Sequence, residues 1–237
     1  GTIQPGKRKF WSYKKARIFA RKLKLKSVRE WKNYKEGKYK GLPAFPANMP
    51  RNPNQKYKEI LEFIKDNPAF TQALLDHLMR LTVDYLNYQI SSGVHAIQLF
   101  ESFADVISLE LYEKYVQPAH EKIFSSLNPN TPSILFTKES SHLELMLQSG
   151  ANALSVGNCI DLESAKKKAP GMIFQGNVDN KILADGSKEE ISKAVEKCFA
   201  ETNRKNHILN LNHGLLERTP FESVQHFVNV AKELGKI

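Results

Sequence analysis

Cysteine and long apolar runs are scarce in this sequence, and acidic residues are scarce at its N-terminal end. The two cysteines, Cys159 and Cys198, exclude a disulfide framework and have no partners at metal-ligand spacing, which indicates a reducing compartment. No apolar run approaches the ~20 residues of a membrane-spanning helix, and the lysine-rich N-terminus lacks the apolar stretch of a secretory signal. The 41% hydrophobic content is still sufficient for a packed core.

The shortage of acids divides the chain in two. Residues 1–58 hold 18 lysines and arginines against only Glu30 and Glu36, a net charge of +16. Residues 59–237 hold 17 basic and 23 acidic side chains, a net charge of −6. So sharp a change of sign predicts two segments with different partners, a basic segment (1–58) and a body (59–237).

Two short helices and a linker are predicted in the basic segment. Apolar residues recur at helical spacing over residues 11–24, and Ser27 and Glu30 form a capping box that opens a second helix. Three prolines then favour an extended linker: Pro43, Pro46 and Pro50.

The basic segment resembles one copy of the short repeat unit of phage integrases. Lys26-Ser27 and Glu30-Trp31 match the centre of that unit, and residues 50–58 match its close. The charge density favours non-specific contact with nucleic acid, in which basic side chains release counterions from phosphates and aromatic rings stack on bases. The alternative is a solvated basic face whose aromatic side chains close a small core.

Five short apolar runs in the body, each followed by a helical pattern, predict repeated βα units and an α/β fold with a parallel sheet. A preceding helix is predicted over residues 59–92. Five strands are too few for a closed eight-stranded barrel, so they form either an open sheet or the C-terminal part of a barrel. The predicted strands are 94–100, 133–137, 153–156, 172–175 and 207–211, and the helices that follow them are 109–127, 140–149, 161–168, 187–201 and 220–234.

Polar residues at two strand ends are the candidates for chemistry. His213 follows the last predicted strand, at the end where α/β folds place their active sites, but a histidine there can also be a satisfied structural residue. Ser102 follows the first predicted strand and offers a hydroxyl donor, although it can also cap the next turn. Other polar residues are predicted to be structural or solvated: Gln175 and Asn177 as loop scaffold, His142 and His207 as satisfied histidines, Glu101 and Asp105 as solvated acids.

Four stretches of the body resemble the C-terminal half of uroporphyrinogen decarboxylase, in that family's order and spacing. They are residues 92–102, 134–138, 174–179 and 207–215, with Thr219-Pro220 following. The resemblance implies part of a (β/α)8 TIM-type barrel, about five parallel strands preceded here by the small basic helical segment. It also implies a carboxy-lyase of tetrapyrrole biosynthesis that converts uroporphyrinogen III to coproporphyrinogen III without cofactor or metal.

The resemblance further implies binding residues and partners. It assigns Ser102 and His213 to the binding of substrate carboxylates, and it implies a homodimer or a complementing subunit. It also implies a cytoplasmic location, with the plastid as the alternative. Corrinoid methyltransferases, which are related to the same barrel, are disfavoured because neither cysteine has a partner at zinc-ligand spacing.

The chain also departs from the family pattern. The family's Arg-Gln-Ala-Gly-Arg-Tyr motif and its pyrrole-binding aspartate are absent. Residues 156–159 read Val-Gly-Asn-Cys where the family has Leu-Asp-Trp-Thr, and Asn212 replaces the glycine before the family histidine. These departures predict a truncated or divergent decarboxylase. The alternative is an inactive barrel derivative whose basic segment binds nucleic acid.

If the basic segment binds nucleic acid, its affinity must fall steeply with salt, because phosphate contacts release counterions. We expect charge-neutral replacement of Lys14, Lys15, Arg17, Arg21 and Lys22 to abolish binding in a fluorescence-anisotropy titration at low salt. Unchanged binding by this variant would contradict the electrostatic interpretation.

Overall fold

The computed structural model describes residues 57–236. The two helices predicted in the basic segment, and the stretch that resembles the integrase repeat up to residue 56, lie outside the described residues. The first described residue, Tyr57, is also the first residue of a helix.

The helix predicted over residues 59–92 is two helices, α1 (Tyr57–Asp66) and α2 (Pro68–Ser91). Pro68 has no N–H group and disfavours helical geometry at the residue before it, so it begins a new helix in its first turn. Asn67 lies between the helices and donates from Nδ2 to the Phe63 carbonyl oxygen at 3.0 Å. The stretch predicted to be helical is therefore divided into two helices at this proline.

The five predicted strands are confirmed, and they form one parallel sheet. They are β1 (Ile97–Glu101), β2 (Ser133–Thr137), β3 (Ala153–Val156), β4 (Ile173–Gln175) and β5 (His207–Ile208). Neighbours in the chain are neighbours in the sheet, in the order β1-β2-β3-β4-β5. Strand β5 is shorter than predicted, because its pairing with the chain after β4 is interrupted and resumes as a single bridge between Val178 and Leu211.

Helices connect the strands. Three follow β1 and β2: α3 (Leu109–Leu111), α4 (Gln117–Ser125) after a π-helical turn (Tyr112–Val116), and α5 (Leu143–Leu147). Four follow the later strands: α6 (Leu162–Lys168), α7 (Asn180–Asp185), α8 (Lys188–Thr202) and α9 (Phe221–Leu234). Helix α7, which is six residues long, was not predicted.

One face of the sheet packs against these helices. Because side chains alternate along a strand, Leu135, Leu154 and Phe174 point to the same face, and all three are fully buried. They belong to the main hydrophobic cluster, together with Met146 of α5 and Ile191 of α8. Helices on one side of a parallel sheet are what a part of a TIM-type barrel requires.

The other face of the sheet is partly polar and would line the inside of such a barrel. Gln175 donates from Nε2 to Gln98 Oε1 at 3.2 Å and to Ser155 Oγ at 3.0 Å. These bonds satisfy polar groups of three strands, and the three side chains are half-buried or buried. None of the helices described between residues 57 and 236 is long and apolar enough to cross a membrane.

The buried face of the central strand predicts a stability effect. Leu154 is fully buried in β3, so Leu154→Ala should lower the free energy of unfolding by about 2–5 kcal/mol through the cavity it creates. Leu81→Ala is the matched control, because Leu81 on α2 is 50% exposed and should cost under about 1 kcal/mol. Urea unfolding measures both; equal effects would contradict the assignment of the core.

Candidate active site at the carboxyl edge of the sheet

All five strands end at one edge of the sheet, because all five are parallel. Ser102 directly follows β1, Glu139 lies two residues after β2, and Gly157 directly follows β3. Asn177 follows β4, and His213 follows the bridge at Leu211. Residues that are far apart in sequence therefore lie on one edge, which is where parallel folds place their chemistry.

His213 lies exposed at this edge, against an aromatic ladder. Its imidazole contacts the Phe136 ring edge to face, with 5.9 Å between ring centroids and 67° between ring planes. Phe136 in turn contacts Phe100 of β1 at 5.4 Å. The ladder gives the imidazole a packing partner while its nitrogens remain accessible to a ligand.

The loop around His213 is held by its neighbour, the buried Asn212. Asn212 donates from Nδ2 to Glu139 Oε1 at 2.9 Å, and its Oδ1 accepts from the backbone N–H of Asn180 at 2.9 Å. Asn180 also donates from its side chain to the Gly214 carbonyl oxygen at 2.7 Å. Hydrogen bonds on both sides of His213 therefore fix the backbone that carries the imidazole.

Ser102 lies at the same edge, in the turn after β1, and is exposed. Within residues 57–236 its hydroxyl makes no hydrogen bond, so it does not cap the turn that follows it. Among the described residues no hydrogen bond or ring contact joins Ser102 to His213.

The polar residues predicted to be scaffold make hydrogen bonds that fit that role. Asn177 donates from Nδ2 to the carbonyl oxygens of Gly157 at 2.9 Å and of Ile160 at 2.7 Å, which ties the loop after β4 to the loop after β3. His207 Nε2 lies 2.6 Å from the Gly176 carbonyl oxygen. His142 Nε2 lies 3.2 Å from the Ile107 carbonyl oxygen.

Glu101 was predicted to be solvated, and this is wrong. It is the last residue of β1 and faces the helix layer, where burial raises the pKa of its carboxyl group. Its Oε2 lies 3.9 Å from Nε2 of His120, and burial lowers the pKa of that histidine to about 4. His120 is therefore neutral at pH 7, and the two side chains do not form an ion pair.

Glu139 is the functional candidate that sequence reasoning missed. Its backbone is left-handed, with φ of 44°, and its half-buried carboxylate accepts hydrogen bonds from Asn212 and from the backbone N–H of Cys159 at 3.2 Å. The one signal in the sequence was its place, two residues after an apolar strand. Its partners lie 20 and 73 positions away, so no local pattern connects them.

Positive charge at this edge is limited. Lys138 follows β2, and its Nζ is 3.5 Å from Asp105 Oδ2 in a partly exposed pair. The arginines of the described residues have other partners: Arg80 beside His77, Arg204 over the Phe199 ring, and Arg218 in two hydrogen bonds to Asp185. No cluster of three or more His, Cys, Asp or Glu side chains between residues 57 and 236 could hold a metal ion.

Comparison with known proteins supports the family resemblance of the body. The family model for uroporphyrinogen decarboxylase matches residues 47–234. The uroporphyrinogen decarboxylase of Prochlorococcus marinus (strain MIT 9215) is 36% identical over 76% of this chain and 54% of the relative. That of Trichodesmium erythraeum (strain IMS101) is 33% identical over 76% of this chain and 52% of the relative. The chain thus spans about half the length of the curated relatives it matches.

A solved structure shares the fold. A methyltransferase from Methanosarcina mazei superimposes with a TM-score of 0.67 at 21% identity, over 76% of this chain and 54% of that one. At this identity the likeness concerns the fold alone.

The buried histidine beside Glu101 predicts a pH effect. The pKa of His120 is about 4 in the folded chain and near 6.5 when unfolded, so the unfolded state takes up more protons between these values. The lowered pKa of His120 therefore makes the free energy of unfolding depend on pH. It is highest above pH ~6.5 and falls as the pH is lowered, by about 2 kcal/mol at pH 5. We expect His120→Leu to remove that loss in urea unfolding at pH 7 and pH 5.

The chain with His120 and the His120→Leu variant are compared in a Glu101→Gln background. Glu101 has a raised pKa in the folded chain, so it acts in the opposite direction: its contribution is present at low pH and is lost as the pH rises through the folded value. An equal loss of stability on acidification with and without His120 would contradict the assignment of a neutral buried histidine.

Proposed function

Because this chain belongs to the uroporphyrinogen decarboxylase family, we propose that its body forms the C-terminal part of the barrel of a uroporphyrinogen decarboxylase. The reaction is the conversion of uroporphyrinogen III to coproporphyrinogen III, in which each acetate arm loses carbon dioxide and takes up a proton. The proposal treats residues 1–58 as a separate segment, and it needs neither cofactor nor metal.

The position of His213 carries this proposal. Its imidazole is exposed at the carboxyl edge of a parallel sheet, while its backbone is fixed through Asn212 and Asn180. An imidazole held in this way can donate a hydrogen bond to a substrate carboxylate, and little conformational entropy is lost when it does so. Ser102 supports the proposal because its exposed hydroxyl has no protein partner among residues 57–236 and can donate to a second carboxylate.

A polycarboxylate substrate needs more cations than the described residues present. Lys138 is paired with Asp105, and Glu139 adds a negative charge at the same edge. Arginine forks are the efficient way to hold carboxylates, and the described arginines have other partners. We therefore propose that further cations come from a complementing subunit, from a second copy in a homodimer, or from the chain before residue 57.

The open sides of the sheet support such an association. Strands β1 and β5 each pair with only one neighbour among the described residues, and an unpaired edge exposes backbone donors and acceptors. Phe100 of β1 is 63% exposed on the inner face, where a continued barrel would cover it. For such an enzyme we propose a cytoplasmic location, with the plastid as the alternative.

A second candidate function is kept because of the same shortage of arginine. In this alternative the body is an inactive derivative of the barrel, and the basic residues 1–58, with a net charge of +16, bind nucleic acid. The two candidates differ in porphyrin binding, which only the decarboxylase requires.

Anaerobic incubation with uroporphyrinogen tests the decarboxylase. The chain is assayed alone and mixed with a polypeptide that carries the N-terminal half of the Prochlorococcus relative, and chromatography of the oxidised products follows the loss of carboxylates. We expect turnover in the mixture. His213→Ala and Ser102→Ala should each lower kcat/KM by about 10- to 100-fold, because each removes a hydrogen bond to a charged group worth about 1.5–3 kcal/mol.

Two substitutions away from the carboxyl edge of the sheet serve as matched controls. His95→Ala removes an exposed histidine before β1, at the opposite edge, and Ser125→Ala removes an exposed hydroxyl at the end of α4. Both should leave turnover unchanged. Absence of both turnover and porphyrin binding in the mixture would reject the decarboxylase and favour the inactive derivative.

A further inference from the structure

Three strand-end loops meet at the carboxylate of Glu139. The residue itself belongs to the loop after β2. Its Oε2 accepts the backbone N–H of Cys159, in the loop after β3, at 3.2 Å. Its Oε1 accepts the side-chain amide of Asn212, in the loop after β5, at 2.9 Å. Each oxygen therefore holds a different loop, and a charged acceptor makes both bonds stronger than neutral ones.

The carboxylate of Glu139 also fills the space above Gly157. A Cβ atom built on Gly157 would lie 2.5 Å from Glu139 Oε2, 2.6 Å from Cδ and 2.8 Å from Oε1. No side chain can be placed at position 157 while Glu139 keeps this conformation. Gly157 has no positive φ, so it is the position of the Glu139 carboxylate, and not the backbone, that disfavours a side chain there.

The left-handed backbone of Glu139 fits the same interpretation. A non-glycine residue at φ of 44° costs about 1–2 kcal/mol. The hydrogen bonds from Cys159 and Asn212 can offset that cost. Burial and the charge of Glu139 raise the pKa of the Cys159 thiol to about 11, so the thiol remains protonated and can donate to the carboxylate.

We propose that Glu139 is a positioning residue: its carboxylate stands where a side chain at position 157 would otherwise lie, and it holds the His213 loop through Asn212. The side-chain positions at residues 139, 157 and 212 therefore depend on one another. The catalytic part of this inference rests on the proposed function, but the geometric part does not.

NMR of the histidine side chains tests the geometric part on the whole chain. The Phe136 ring shifts the imidazole resonances of His213, which are assigned by their loss in His213→Ala. Glu139→Ala should move these resonances toward those of an unstructured histidine and leave those of His142 unchanged. Glu139→Gln should cause a smaller shift, because its one oxygen can accept from Asn212 but its amide cannot accept from Cys159. Glu233→Gln, at an exposed acid near the end of α9, is the control.

A mutant cycle tests the shared space at position 157. Gly157→Asp should lower the melting temperature while Glu139 is present, because the two side chains compete for one volume. In a Glu139→Gly/Asn212→Gly background the same substitution should lower it much less or raise it. This comparison of melting temperatures does not use Glu139→Ala, so it still tests the proposal if that variant fails to fold. Equal effects in the two backgrounds, or unmoved His213 resonances in folded Glu139→Ala, would overturn the proposal.

Turnover in the complemented mixture tests the catalytic part. If Glu139 acts through His213, Glu139→Ala lowers kcat/KM and the Glu139→Ala/His213→Ala double variant is no worse than His213→Ala alone. If the kcat/KM losses of the two single variants multiply in the double variant, Glu139 acts independently of His213, and its role as a positioning residue is overturned. If the unsubstituted mixture shows no turnover, the proposed function fails, while the NMR and stability results still decide the geometry.

Discussion

Parallel pairing of five strands in chain order is the constraint on which the rest of the structure depends. It places every strand end on one edge, so that Ser102, Glu139 and His213 lie at the same edge of the sheet although the chain between them contains six α-helices and the π-helical turn. It also requires helices between the strands, and these bury the outer face of the sheet. Loop residues at the carboxyl edge that lie outside the core, such as Ser102 and His213, can then carry exposed polar side chains.

The sequence predicted the repeated βα units because each apolar strand is bounded by turn residues and followed by a helical pattern. It failed where a tertiary contact or a local steric effect decides the outcome. Pro68 interrupts a helix whose apolar periodicity continues across it, and Glu101 faces the helix layer because β1 ends one residue later than predicted. Glu139 was missed for a different reason: its partners belong to other strands, and only the folded chain brings them together.

The carboxyl edge of the described part has few basic side chains without an acidic partner, and its acidic side chains have partners of their own. Glu139 accepts hydrogen bonds from two other loops, Asp105 pairs with Lys138, and the half-buried Glu101 lies beside a neutral histidine. A ligand with many carboxylates would meet a surface that positions hydrogen-bond donors but does not neutralise charge.

The order of the strands also determines how the chain can fold. Every strand pairs with the one before it in sequence, as in Ile134 with Ala153 and Phe174 with His207. Each pairing therefore closes a loop on the order of 20 to 35 residues, for which the entropic cost is modest. A sheet with such local contacts can grow one βα unit at a time as the polypeptide leaves the ribosome, without waiting for a distant partner strand. The final strand, β5, contributes only two residues to the ladder, so the growing edge ends at the weakest pairing of the sheet.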